Sequence, residues 1–216
     1  MLSVRQFFVV VFTPLARAMV GVNPNALTLV SVVAGVLAGV AFSQAHYGAL
    51  FYALAAVLVA VSGSADSLDG IVARLDNRTS TAGEFFDHFG DRIVEVAVLV
   101  GIAASPGAST LLGLGVVILT QLHSYLGTQI EATFGRREYS GPGRAELFVG
   151  FVLFGMLLAA SPGLSIPWGA RRVSLADAAF VVLAIVTVAG LVHRLRRAWS
   201  LCTSPAKAGD REGRPR

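Results

Sequence analysis

Asp66-Ser67-Leu68-Asp69-Gly70-Ile71-Val72-Ala73-Arg74, eight further residues, and then Gly83-Glu84-Phe85-Phe86-Asp87-His88-Phe89-Gly90-Asp91 form the stretch that decides how this chain is read. The sequence around it is apolar. Of 216 residues 55% are hydrophobic and only 14% are charged, and mean hydropathy is +0.70. A carboxylate inside a transmembrane segment costs roughly 2.5–3.5 kcal/mol. Asp66, Asp69, Asp87 and Asp91 therefore need a compensating partner, and divalent cations, which favour hard oxygen ligands, are the natural one.

Asp66 and Asp69 are three residues apart, and Asp87 and Asp91 four. On helices both spacings bring side chains to one face. Two helices joined by the short turn Leu75–Thr81 are predicted to be antiparallel neighbours whose carboxylates meet at similar depth. Without cations they would repel one another. Two divalent cations bridged by shared carboxylates balance the charge, and such a pair, about 3.5–4 Å apart, can clamp a phosphoryl or pyrophosphoryl group. Gly70 and Ala73 leave one helical face without bulk, and Gly83 opens space one turn before Asp87. Arg74, one turn beyond Gly70, can aim its guanidinium at a phosphate. Capping and ion pairing with Arg74, Arg78 and Arg92 would account for one pair of aspartates, but not for four with glycines between them.

The composition leaves too little polar surface for a soluble domain and predicts an all-α integral membrane protein. Six apolar stretches, 26–42, 49–74, 82–104, 109–130, 145–160 and 175–193, read as a six-helix transmembrane bundle, with Pro- and Gly-containing breakers between them. Arg5 and Arg17, Arg74 and Arg78, Arg136, Arg137 and Arg144, and the basic residues from Arg194 on all fall on one side. By the positive-inside rule a multi-pass protein of the cytoplasmic membrane is expected, with both termini and the aspartates facing the cytoplasm. Arg171 and Arg172 alone break the pattern. Residues 1–22 are expected to form a juxtamembrane amphipathic helix at the membrane interface, interrupted by Pro14. Residues 23–200 are expected to form the six-helix domain and 201–216 a disordered basic tail. The pI of 9.8 suits attraction to anionic membrane lipids and not nucleic acid, for which no reading motif is present. Cys202 stands alone, which excludes an intrachain disulfide.

From Asp66 to Asp91 every defined position of the pattern D-x2-D-G-x2-A-R-x8-G-x3-D-x3-D is filled. In this the chain resembles the CDP-alcohol phosphotransferase (phosphatidyltransferase) family, and the six-span layout and Pro24-Asn25-Ala26-Leu27-Thr28 extend the likeness. The resemblance implies transfer from a CDP-linked lipid donor to a small polar alcohol acceptor, with release of CMP and dependence on Mg²⁺ or Mn²⁺. It implies that Asp66, Asp69, Asp87 and Asp91 hold two metals and that Asp91 is also the general base. It further implies that Gly70, Arg74 and Ser80 contact the donor, that Asn25 to Thr28 close over it, and that the protein is a homodimer. The reverse assignment, a CDP-alcohol donor and a lipid acceptor, satisfies the same motif.

Arg136, Arg137 and Arg144 are candidates for binding an anionic acceptor such as inositol phosphate or glycerol phosphate. Arg144-Ala145-Glu146 only partly matches the segment of inositol-phosphate-using members, because Gly143 and Leu147 stand where Glu and Arg would be. His88 and His123 read as helix-packing histidines, with a metal or proton-transfer role as the alternative. Asp76 and Glu84 read as solvated, and Glu95 as the ion-pair partner of Arg92. A cation-coupled transporter would also place acids in the membrane, but the related broken helices of an inverted repeat are missing from the sequence.

Overall fold

The computed structural model describes residues 4–135, 144–168 and 171–203, and among these the fold is helical apart from one short hairpin. Helix α1 is Val4–Ala18, α2 Pro24–Ser43, α3 Leu50–Leu75, α4 Thr81–Ala103, α5 Thr110–Phe134, α6 Arg144–Ala160 and α7 Leu175–Thr203. Strands β1 (Ser165–Trp168) and β2 (Arg171–Ser174) pair antiparallel, with Ser165 opposite Ser174. The hairpin goes beyond what the sequence predicts. It occupies the expected outer loop and holds Arg172, which donates to Ser165 Oγ at 3.4 Å.

Helices stand at all six positions where spans are expected. Pro24–Tyr47, Leu50–Leu75, Thr110–Phe134 and Leu175–Thr203 are each long and apolar enough to cross a membrane. Helix α4 is long enough at 23 residues but carries Glu84, Asp87, Asp91, Arg92 and Glu95. Helix α6 has 17 residues, about 25 Å of rise. Helix α7 continues past residue 193 to Thr203 and takes in three residues expected in the disordered tail. Arg194, Arg196 and Arg197 follow the apolar stretch without ending the helix, because arginine is a good helix former and the next proline is Pro205. Helix α1 likewise runs through Pro14. Residues 204–216 and the loop arginines Arg136 and Arg137 lie outside the described residues.

The chain divides into two compact units, Met1–Ile118 with Pro142–Leu183, and Leu119–Gly141 with Ala184–Arg216. In the first, α2 is the central strut and packs against both α3 and α4. Glycine makes the approach close: a Cβ on Gly39 would strike the Ala97 carbonyl, and one on Gly101 the Gly39 carbonyl. The α2–α3 contact is fixed by two buried serines, with Ser62 Oγ donating to Ser31 O at 2.8 Å and lying 3.3 Å from Ser31 Oγ. Such bonds serve where lipid tails leave little hydrophobic drive between helices. Helix α1 docks on the C-terminal half of α3, where Ala16, Phe12 and Met19 pack with Leu68, Ile71 and Val72. Val10, Val11 and Leu15 of α1 remain exposed. In the second unit, Arg194 donates to the His123 carbonyl at 2.5 Å. Gly127 leaves room for that guanidinium, and Gly190 for the His123 ring.

Candidate functional site

The site is built on the turn between α3 and α4. Helix α3 ends where Asn77 takes a left-handed φ of 53° and the Arg78 amide reaches back to the Ala73 carbonyl at 2.9 Å, an arrangement typical of helix C-termini. Helix α4 begins at Ser80, an extended N-cap whose Oγ accepts from the Gly83 amide at 3.0 Å. These two stops set the depth of the acids. Asp69 lies six residues before the end of α3, and Asp87 six residues after the start of α4. At 1.5 Å per residue, each is about 9 Å from the turn.

The carboxylates do converge, in two overlapping groups. Asp66, Asp69 and Asp87 each present an oxygen within 4.8 Å of the others, and Asp87, His88 and Asp91 present ligand atoms equally close. Asp87 belongs to both. Asp69 and Asp91 are buried, at 5% and 6% exposure, Asp66 and Asp87 are half-buried, and His88 is open. The spacing suits a small hard cation. Bonds of about 2.0–2.1 Å place neighbouring ligand oxygens on the order of 3 Å apart and opposite ones about 4 Å apart.

Helix α2 reaches the same site from the other side. Thr28 Oγ1 donates to Asp69 Oδ2 at 2.6 Å, a short hydrogen bond. Asn25 lies beside the start of α4: a Cβ on Gly83 would stand 3.2 Å from Ser80 Oγ and 3.7 Å from Asn25 Oδ1. On α3 the Arg74 guanidinium folds back over Gly70, with Nη1 3.4 Å from where a Cβ would be. Among the donor-binding residues expected from the sequence, Gly70 and Arg74 are thus neighbours, and Asn25 and Ser80 both lie beside Gly83. Thr28 is the one of them bonded to a carboxylate of the cluster. Arg144 opens α6, and its side chain lies outside the described residues.

Two residues stand differently from the sequence reading. His88 is no packing histidine: its side chain is 59% exposed, with Nε2 3.8 Å from Glu84 Oε1 and Nδ1 4.0 Å from Asp91 Oδ2. Its i,i+4 and i,i+3 spacing to these acids was the available signal. Asp76, expected to be solvated, has a side chain only 6% exposed, 3.9 Å from Arg78, and accepts from the Gly21 amide at 2.8 Å. No local pattern marks it, since Gly21 is 55 residues away. Arg92 and Glu95 form the expected pair, at 2.6 Å.

The family model of the CDP-alcohol phosphatidyltransferases matches residues 21–192. The chain belongs to this family. The matched range starts just after α1 and takes in all four aspartates, so the likeness read from the motif extends over most of the protein. Archaetidylinositol phosphate synthase of Pyrococcus horikoshii is 31% identical over 126 residues, 58% of this chain and 61% of that one. The alignment thus spans less than two thirds of that relative. Phosphatidylinositol phosphate synthase of Mycolicibacterium smegmatis is 29% identical over 215 residues, 94% of this chain and 89% of the relative. Crystal structures of the Mycobacterium tuberculosis phosphatidylinositol phosphate synthase superpose with a TM-score of 0.69 at 24% identity, over 87% of this chain. One is in complex with manganese and citrate and covers 88% of that protein. The other has CDP-DAG bound and covers 93%. This family member therefore shares their fold.

Proposed function

We propose that this protein is a membrane-embedded enzyme that transfers a phosphatidyl-type group from a CDP-activated lipid to the hydroxyl of a small polar alcohol, releasing CMP. The observation that carries the reading is the convergence of Asp66, Asp69, Asp87 and Asp91 into two ligand groups sharing Asp87. Relatives named as phosphatidylinositol phosphate and archaetidylinositol phosphate synthases support a CDP-lipid donor and a polyol phosphate acceptor over the reverse assignment. Six helices span the membrane, α1 lies at its interface, and both termini and the site face the cytoplasm. The functional form is a homodimer in the cytoplasmic membrane.

Asp66, Asp69 and Asp87 would hold one divalent cation, and Asp87 and Asp91 would complete a second site. Bound Mg²⁺ or Mn²⁺ would offset charge developing on the transferred phosphate. Arg74, over Gly70, and the Asn25–Ser80 edge hold the cytidine diphosphate. Arg136, Arg137 and Arg144 receive the acceptor's phosphate. The acceptor oxygen forms a bond to the lipid-bearing phosphorus, the bond from that phosphorus to the CMP oxygen breaks, and CMP leaves with the electron pair. The acceptor's proton passes to Asp91.

The test is incubation of the purified protein with CDP-diacylglycerol and a panel of inositol phosphate, glycerol phosphate, serine and inositol, reading CMP. Release is expected with a polyol phosphate, to stop with EDTA and to return with Mg²⁺ or Mn²⁺. Turnover insensitive to chelation would overturn the metal mechanism. Cation flux in liposomes without CMP would point to the transporter.

A further inference from the structure

Thr28 and Asp69 are 41 residues apart and lie on different helices, yet they share a 2.6 Å hydrogen bond. A threonine hydroxyl has one proton. The Pro24 carbonyl stands farther off, at 3.2 Å, so the carboxylate is the nearer acceptor. Asp69 is 5% exposed, and its Oδ2 takes the bond, which sets the rotation of the carboxylate within the group formed with Asp66 and Asp87.

The position of Thr28 is itself fixed. One turn further along α2, Ser31 is bonded to Ser62 of α3. On the other flank, Gly90 of α4 leaves space for α2: a Cβ there would come within 2.7 Å of Val32 Cγ2 and 3.8 Å of Thr28 Cγ2. The hydroxyl therefore reaches Asp69 from a strut held on both sides.

We propose that Thr28 is a positioning residue for Asp69, setting the affinity of the Asp66–Asp69–Asp87 group for its divalent cation. This rests on the metal reading of the acidic cluster given above. Groups that hold a metal ligand in place commonly change metal affinity about 10- to 100-fold when removed. Valine keeps the shape of threonine and loses the hydroxyl. Serine keeps the hydroxyl and loses the methyl.

The test is Mn²⁺ titration of the full-length protein in detergent, without donor or acceptor, followed by electron paramagnetic resonance. Thr28→Val is expected to weaken Mn²⁺ binding at least about tenfold, and Thr28→Ser to restore it to within about threefold of wild type. In the Asp69→Asn background Thr28→Val should add nothing, because its effect passes through that carboxylate. Wild-type Mn²⁺ affinity in Thr28→Val, with or without a raised KM for the CDP-lipid, would overturn the proposal and leave the metal reading standing. A further loss of affinity on adding Thr28→Val to Asp69→Asn would also overturn it. A wild-type protein that binds no Mn²⁺ would overturn the metal reading and this proposal together.

Discussion

Asp69 and Asp87 stand at equal depth on opposite sides of one turn, and their carboxylate oxygens lie within 4.8 Å of each other and of Asp66. Asp87 also belongs to the group with His88 and Asp91. Asp87→Asn should therefore be the single change in the cluster most damaging to Mn²⁺ binding. It is expected to abolish CMP release and to weaken Mn²⁺ binding at both sites, whereas Asp66→Asn and Asp91→Asn each leave the other group intact. Mn²⁺ stoichiometry on the three variants checks this order, and CMP assays check the loss of turnover in Asp87→Asn. Full activity in Asp87→Asn would sink the metal assignment.

Two proton acceptors stand close together on α4, the Asp91 carboxylate and the His88 imidazole 4.0 Å away. With Asp91 as the base, Asp91→Asn removes turnover, while His88→Gln lowers kcat by less than about tenfold, below the ~100- to 10,000-fold typical of a general base. Measuring kcat and KM for both variants at saturating Mn²⁺ decides between them. A loss in His88→Gln as large as that in Asp91→Asn would move the role to the imidazole.

The contact of α2 with α4 has no room for side chains at two glycines. A Cβ on Gly39 or Gly101 meets backbone carbonyls that cannot rotate away. Gly39→Ala and Gly101→Ala should each cost about 1–3 kcal/mol, read as a lower midpoint of thermal unfolding in detergent. At Gly150 of α6 the place a Cβ would take has nothing within 4 Å, so Gly150→Ala should leave the midpoint unchanged or slightly raised.

Asp76 ties the link between α1 and α2 to the end of α3 through the Gly21 amide. Its carboxylate is nearly buried, and hydrogen bonds to charged groups contribute about 1.5–3 kcal/mol. Asp76→Ala is expected to expose the α1–α2 link, so limited proteolysis should cleave near residues 18–23 faster than in wild type. An unchanged cleavage rate would count against this latch.

Much of the fold was legible because helices are local. Apolar runs placed α2 to α7, and spacings of three and four put each pair of aspartates on one face whatever lies opposite. The apolar run ends at residue 193, but α7 continues through the basic residues to Thr203. The hairpin at Ser165–Ser174 was hidden because its four-residue strands follow a breaker and carry no longer alternation.

The class of the protein, its acidic helical hairpin and its family can be read along the chain, because helical period, apolar length and a motif with fixed spacing are all properties of contiguous residues. Tertiary structure decided how the acids divide: two groups sharing Asp87, with His88 beside Asp91, Thr28 bonded to Asp69, and Asp76 drawn inward to Gly21. Those choices depend on where α1 and α2 lie against α3 and α4. Partners 41 and 55 residues apart are brought together by glycine and serine contacts between helices, which no spacing within a single helix encodes.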